Sequence, residues 1–260
     1  MLRKRVAVAL AAATLASLSL VSPAQASHSW NNYHWARTAN PFTLPVGNQL
    51  AAGVDWQGYL GTSVADWSSS TTLRLSAAAA TITKRCSLVR GTVQVCASSY
   101  GRNGWLGLAS INVSGGHITQ GSAKMNDTYF ATATYNNPNE KLHVMCQEVG
   151  HTFGLGHTSE DGSSQNTCMD YFSNTGANAG STLSTHPNSH DFEQIATTYA
   201  HLDASATAAS ATTTSGARNE VGNDRSTWGQ EVERGAHGEF SIFVRDFGHG
   251  EKVITHVTWA

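Results

Sequence analysis

Along residues 142–153 the apolar side chains Leu142, Met145, Val149 and Phe153 recur every three or four positions, with Gln147, Glu148 and His151 on other faces. That period marks an amphipathic helix packed on a core. A second helix is predicted over 188–202, where Phe192, Ile195 and Tyr199 form the apolar stripe. A third, over 50–67, carries Leu50, Val54, Tyr59, Leu60, Val64 and Trp67 at roughly helical spacing, weakened by glycines at 53, 58 and 61. Strands are predicted at 34–46, 72–75, 81–83, 92–95 and 106–113, with an edge strand at 121–125. Pro41 and Pro45 place the first of these near an edge too, because proline cannot donate to a ladder. Residues 158–167 read as a polar loop.

The two ends differ from this middle. Arg3, Lys4 and Arg5, an apolar run over 6–21 and the small-residue site Ala24-Gln25-Ala26 predict a signal peptide over 1–26. The run is short for a membrane span, so a secreted, extracellular chain with no membrane contact after cleavage is expected. Residues 204–216 form an Ala/Ser/Thr-rich linker. Beyond it, 217–260 is a small β-rich segment with strands at 226–232, 240–245 and 253–259, the last two joined by Gly248-His249-Gly250. Such a short segment without cysteines can hardly hold a core of its own, so it is expected to dock on the preceding domain or on a partner. Trp228 and Trp259 then read as packing residues rather than ligand contacts. One main domain is left, over 27–203.

Removing the signal's three basic residues leaves 13 Lys and Arg against 18 Asp and Glu, a net of −5. That balance argues against nucleic acid as a partner, which calls for a basic stripe. A monomer is expected.

The chemistry is concentrated in residues 147–157, which read Gln-Glu-Val-Gly-His-Thr-Phe-Gly-Leu-Gly-His. This is H-E-x-x-H-x-x-G-x-x-H with Gln147 at its first position. On a helix, positions 147 and 151 share a face and can reach one ion, and Glu148 sits where its carboxylate can take a proton from water. Gly154 can adopt the left-handed conformation that ends a helix, which lets His157 swing back toward the same point. A chance match to this much of the pattern is rare, and Met169 follows downstream.

These residues resemble those of a metzincin metallopeptidase, of the matrixin-like branch found in secreted bacterial proteins. The resemblance implies an α+β fold: a twisted mixed sheet with an antiparallel edge strand, an active-site helix, a Met-turn and a C-terminal helix. It further implies zinc (Zn2+) as cofactor, extended peptide or protein substrates pairing with the edge strand, and hydrolysis of peptide bonds. Glu148 would be the general base, Gln147, His151 and His157 would stand at the ligand positions, and Met169 would form the floor. Tyr171, two residues after that Met, resembles an extra ligand or oxyanion partner of related branches.

Gln147 leaves three possibilities. Its amide oxygen can ligate weakly, another donor (Tyr171, Asp161, Asp170 or His190) can complete the sphere, or the scaffold binds peptides without cutting them. His143, eight residues before His151, is about 12 Å away along the helix and reads as a surface or capping residue. His117 reads as a turn residue in preference to a secondary metal ligand. Four cysteines in an exported chain allow three pairings. Cys86–Cys96 and Cys146–Cys168 are favoured, the second tying the motif helix to the Met-turn, over thiolate ligation.

Overall fold

Two adjacent glycines set the centre of the sheet. Gly115 and Gly116 both have positive φ, 58° and 88°, the backbone of a two-residue hairpin loop whose twist matches that of its strands. They join strand β5 (Trp105–Ser114) to β6 (His117–Asn126) in antiparallel register. On its other side β6 runs parallel to β4 (Val93–Ser98), followed by β2 (Phe42–Asn48) and β3 (Leu73–Ala79). A short β1 (His34–Trp35) pairs with the start of β6. The computed structural model describes residues 27–51, 55–83, 85–208 and 220–260. The predicted signal peptide and most of the 204–216 linker lie outside the described residues.

The C-terminal residues extend this sheet. β9 (Glu251–Trp259) lies antiparallel along the whole free edge of β5, then β8 (Phe240–Gly248) and β7 (Gln230–Arg234) complete the order β3-β2-β4-β6-β5-β9-β8-β7. A second two-residue loop, His249-Gly250 with φ of 55° and 77°, turns β8 into β9. Phe240, Ile242 and Ile254 enter the main core, while Trp228, Phe243 and Val257 join Trp105 and Leu108 in a separate cluster. The segment therefore borrows its core from the domain it sits on, and Trp228 is a packing residue.

Four helices are described. α1 (Trp56–Trp67) connects the parallel strands β2 and β3, α2 (Asp127–Phe130) follows β6, and α3 (Pro138–His151) carries the motif. α4 (Ser189–Thr198) follows the Met-turn. Asn137 caps α3 by accepting from the Glu140 amide at 2.9 Å, with Pro138 in the first turn, and Asn188 with Asp191 forms a capping box on α4. α1 packs on α3, and the Trp67 indole donates to the Cys146 carbonyl at 3.1 Å.

Several sequence expectations need correction. The strand at 34–46 is two strands, and β2 lies inside the sheet rather than near an edge. Proline is tolerated there because β4 joins β2 only from Val46 onward, so Pro45 faces a single neighbour, β3. The expected edge strand at 121–125 is the middle of β6, flanked on both sides. The Gly-Gly hairpin makes β5 the outer member of that pair, and β9 then covers it. Residues 81–83 form no strand, and the strand expected at 226–232 begins only at Gln230.

The chain turns away from α3 at Gly154, whose φ is +95° and whose added Cβ would fall onto the Tyr33 carbonyl oxygen. Gly154→Ala is expected to cost about 3 kcal/mol from backbone strain and this clash, read as a lowered denaturation midpoint.

Candidate metal centre

α3 presents Glu148 and His151 to the interior, and the turn at Gly154 returns His157 to the same point. The third member comes from the other end of the chain. His256, on β9, is fully buried, and its ring centroid lies 4.0 Å from that of His151 and 4.7 Å from that of His157. One ligand nitrogen from each of His151, His157 and His256 falls within 4.8 Å of the others.

The hydrogen bonding of these rings leaves the converging atoms free. His151 Nδ1 lies 2.7 Å from the Leu155 carbonyl oxygen, which can only accept. Nδ1 therefore carries the proton, and Nε2 keeps a lone pair. His151 Nε2, His157 Nε2 and both ring nitrogens of His256 are buried with no hydrogen-bond partner. Buried polar atoms left so cost free energy unless something satisfies them, and three imidazole nitrogens around one point fit zinc. Burial, above all, pushes His151 and His256 down to about 3 and His157 well below its usual value, so all three are neutral imidazoles at neutral pH.

Glu148 is held beside this group. Thr258, also on β9, donates its hydroxyl to Glu148 Oε1 at 2.6 Å, while Oε2 has no hydrogen-bond donor and lies 3.6 Å from His256 Nδ1. Burial raises the carboxyl to about 7, with the Thr258 hydrogen bond acting in the opposite direction. Gly107 on β5 makes the room: a Cβ there would overlap Glu148 Oε1. Met169 is buried and packs against Gly150, and the structure joins Cys146 to Cys168 and Cys86 to Cys96. The half-buried Tyr171 ring stands perpendicular to His157 with centroids 4.9 Å apart, and desolvation raises its phenol well above the usual value, so it stays neutral.

Gln147 does not join the group. Its amide nitrogen donates to the carbonyls of Cys168 at 3.1 Å and Asp170 at 2.9 Å, and its oxygen faces Thr258 Oγ1 at 3.3 Å. The side chain thus ties α3 to the turn at Met169. The other substitutes are also committed. Asp170 is buried and accepts from the Gln165 amide and the Ser184 hydroxyl, and Asp161 is exposed and accepts from Ser159 and Ser163. His190 stacks on His28. His143 is buried rather than superficial, with Nδ1 3.0 Å from Asn174 Oδ1.

Sequence reasoning missed His256 and Thr258. One signal was available: Ile254, His256 and Thr258 alternate along a strand and so share a face. Two cavities flank the centre, one lined by residues including Trp30, His157, Glu160 and His256, the other by residues including Val144, Tyr171, Glu239 and Thr258.

Neither a family model nor a curated protein matches the chain. Among solved structures it is similar to high choriolytic enzyme 1, a hatching enzyme zinc-protease from the medaka fish Oryzias latipes, at 12% identity and a TM-score of 0.26. The match covers 49% of this chain and spans about half of the other, 52%. At that level of superposition the likeness transfers neither fold nor activity. The fold itself is a mixed α/β arrangement dominated by one large sheet.

Proposed function

We propose that this chain is a secreted zinc-dependent endopeptidase whose metal is held by His151, His157 and His256. The observation that carries the reading is the meeting of three buried imidazoles, each with a ring nitrogen that has no hydrogen-bond partner, beside a buried carboxylate. Zinc, when bound, supplies the Lewis acidity that polarises a scissile carbonyl. The protein's own residues do the rest. Glu148, with Oε1 fixed by Thr258, offers Oε2 to take the proton of the attacking water and pass it to the leaving amine. Its raised pKa suits a group that must accept and then release that proton near neutral pH. Tyr171 seats the His157 ring, and its neutral phenol is the candidate oxyanion donor. Export follows from the predicted signal peptide and agrees with two disulfides. Among the described residues no helix is long and apolar enough to cross a membrane.

Glu148→Gln is expected to keep stoichiometric zinc and to lose peptide cleavage by at least about 100-fold, the lower end of the usual contribution of a general base. Metal analysis beside cleavage of a broad peptide library checks both halves. Full activity in Glu148→Gln would remove the carboxylate from the mechanism.

A second reading rests on β9. Extended peptides add to a free sheet edge, and β9 already pairs with the outer edge of β5. On this reading the scaffold captures peptide or protein at its flanking cavities without cutting. Chelation abolishes function under the first reading and leaves binding intact under the second.

A further inference from the structure

A second group of ligand-bearing side chains gathers where β1 and the start of β6 meet the chain that leaves α4. His34 is on β1, His117 opens β6, and His201 and Asp203 follow α4 just before the linker. His34 Nε2 lies 3.1 Å from His201 Nε2 and 3.5 Å from Asp203 Oδ2, and His201 Nε2 lies 3.5 Å from Asp203 Oδ1. One ligand atom from each of these three falls within 4.8 Å of the others. His117 Nε2 lies 3.2 Å from Asp203 Oδ1.

Hydrogen bonding accounts for only part of this packing. His34 Nδ1 lies 2.9 Å from the Asn32 carbonyl oxygen, so its proton is on that side and Nε2 carries a lone pair. That lone pair faces a carboxylate oxygen, which is also only an acceptor, and the nitrogen of a second imidazole. A proton on His201 Nε2 can meet that lone pair, whereas the contact with the carboxylate joins two acceptors, which a cation at the centre of the group would hold together. A zinc with bonds of about 2.0–2.2 Å would hold tetrahedral ligand atoms about 3.3–3.6 Å apart, close to the separations found. Arg37 donates to Asp203 Oδ2 from its backbone amide at 3.1 Å and its guanidinium at 2.8 Å. Those bonds fix the carboxylate and leave Oδ1 turned to His117 and His201, the kind of outer support that metal ligands commonly have.

We propose that His34, His201 and Asp203, with His117 beside the carboxylate, form a second zinc-class site with a structural role. The ion would clamp β1 and the start of β6 to the chain that leaves α4, so that the two ends of the main domain are fastened at one point. This inference is independent of the catalytic reading, since it shares no residue with the His151, His157 and His256 group.

The test is metal stoichiometry on the full mature chain loaded with zinc and freed of excess by dialysis. Wild type is expected to hold two ions, and His201→Ala to hold one, with a lower thermal midpoint than wild type. His201 is more than half exposed, its side chain at 56%, so its replacement leaves packing intact. In His151→Ala/His256→Ala the clamp is the site that remains, and cobalt should bind it with the visible absorption of a tetrahedral complex. Adding His201→Ala to that variant should abolish the absorption. Equal zinc content in wild type and His201→Ala would overturn the proposal whatever the peptidase assay shows. Should His151→Ala/His256→Ala fail to fold, the wild-type and His201→Ala comparison decides alone.

Discussion

His256→Ala is expected to weaken zinc binding by more than about 100-fold, because loss of an outer-sphere partner alone costs up to that factor and a direct ligand is worth more. Peptide cleavage should fall with the metal. Gln147→Ala should behave in the opposite way. Its amide supplies donors to two carbonyls of the Met-turn, those of Cys168 and Asp170, and unpaired buried carbonyls cost about 1–3 kcal/mol each. Stability should drop while the metal stays. Equilibrium zinc competition with a chromophoric chelator and denaturant unfolding, run on both variants, separate affinity from stability. Metal lost from Gln147→Ala and kept by His256→Ala would reverse the assignment and return the amide oxygen to the ligand set.

The contrast shows what was legible in the chain and what was not. A motif helix reads directly because its chemistry depends on spacing within one element: residues four apart share a face whatever the rest of the protein does. The capping of α3 and α4, the hairpin glycines and the apolar stripes are local in the same sense. His256 is not local. Its place depends on β9 choosing the edge of β5, with Gly107 opposite Thr258 and Ala109 opposite His256, more than a hundred residues away in sequence. No periodicity within 253–259 contains that register. The same holds for His34, His117, His201 and Asp203, which three separate pieces of chain bring together. On the proposed reading a single long-range pairing supplies the third imidazole that position 147 lacks, and hides it from a reading made element by element.

The strongest consequence concerns the C-terminal segment as a whole. Deleting 217–260 is expected to abolish tight zinc binding and to leave a chain prone to aggregation. Three losses act together. The metal loses His256, Glu148 loses the hydroxyl that fixes Oε1, and β5 exposes an unpaired edge along its full length, the feature that promotes association between chains. The core is breached as well, since Phe240 and Ile254 leave the main cluster and Trp105 loses Trp228, Phe243 and Val257. Removing several large buried apolar side chains at about 2 kcal/mol or more each exceeds the margin of a typical domain. Size-exclusion chromatography with light scattering, zinc content and peptide cleavage on the truncated chain provide the check. A soluble monomer that keeps its zinc and gains cleavage would show β9 to be a removable occupant of the substrate edge. Insoluble or metal-free protein, rescued when the segment is supplied as a separate chain and not when that chain carries His256→Ala, would establish it as part of the centre.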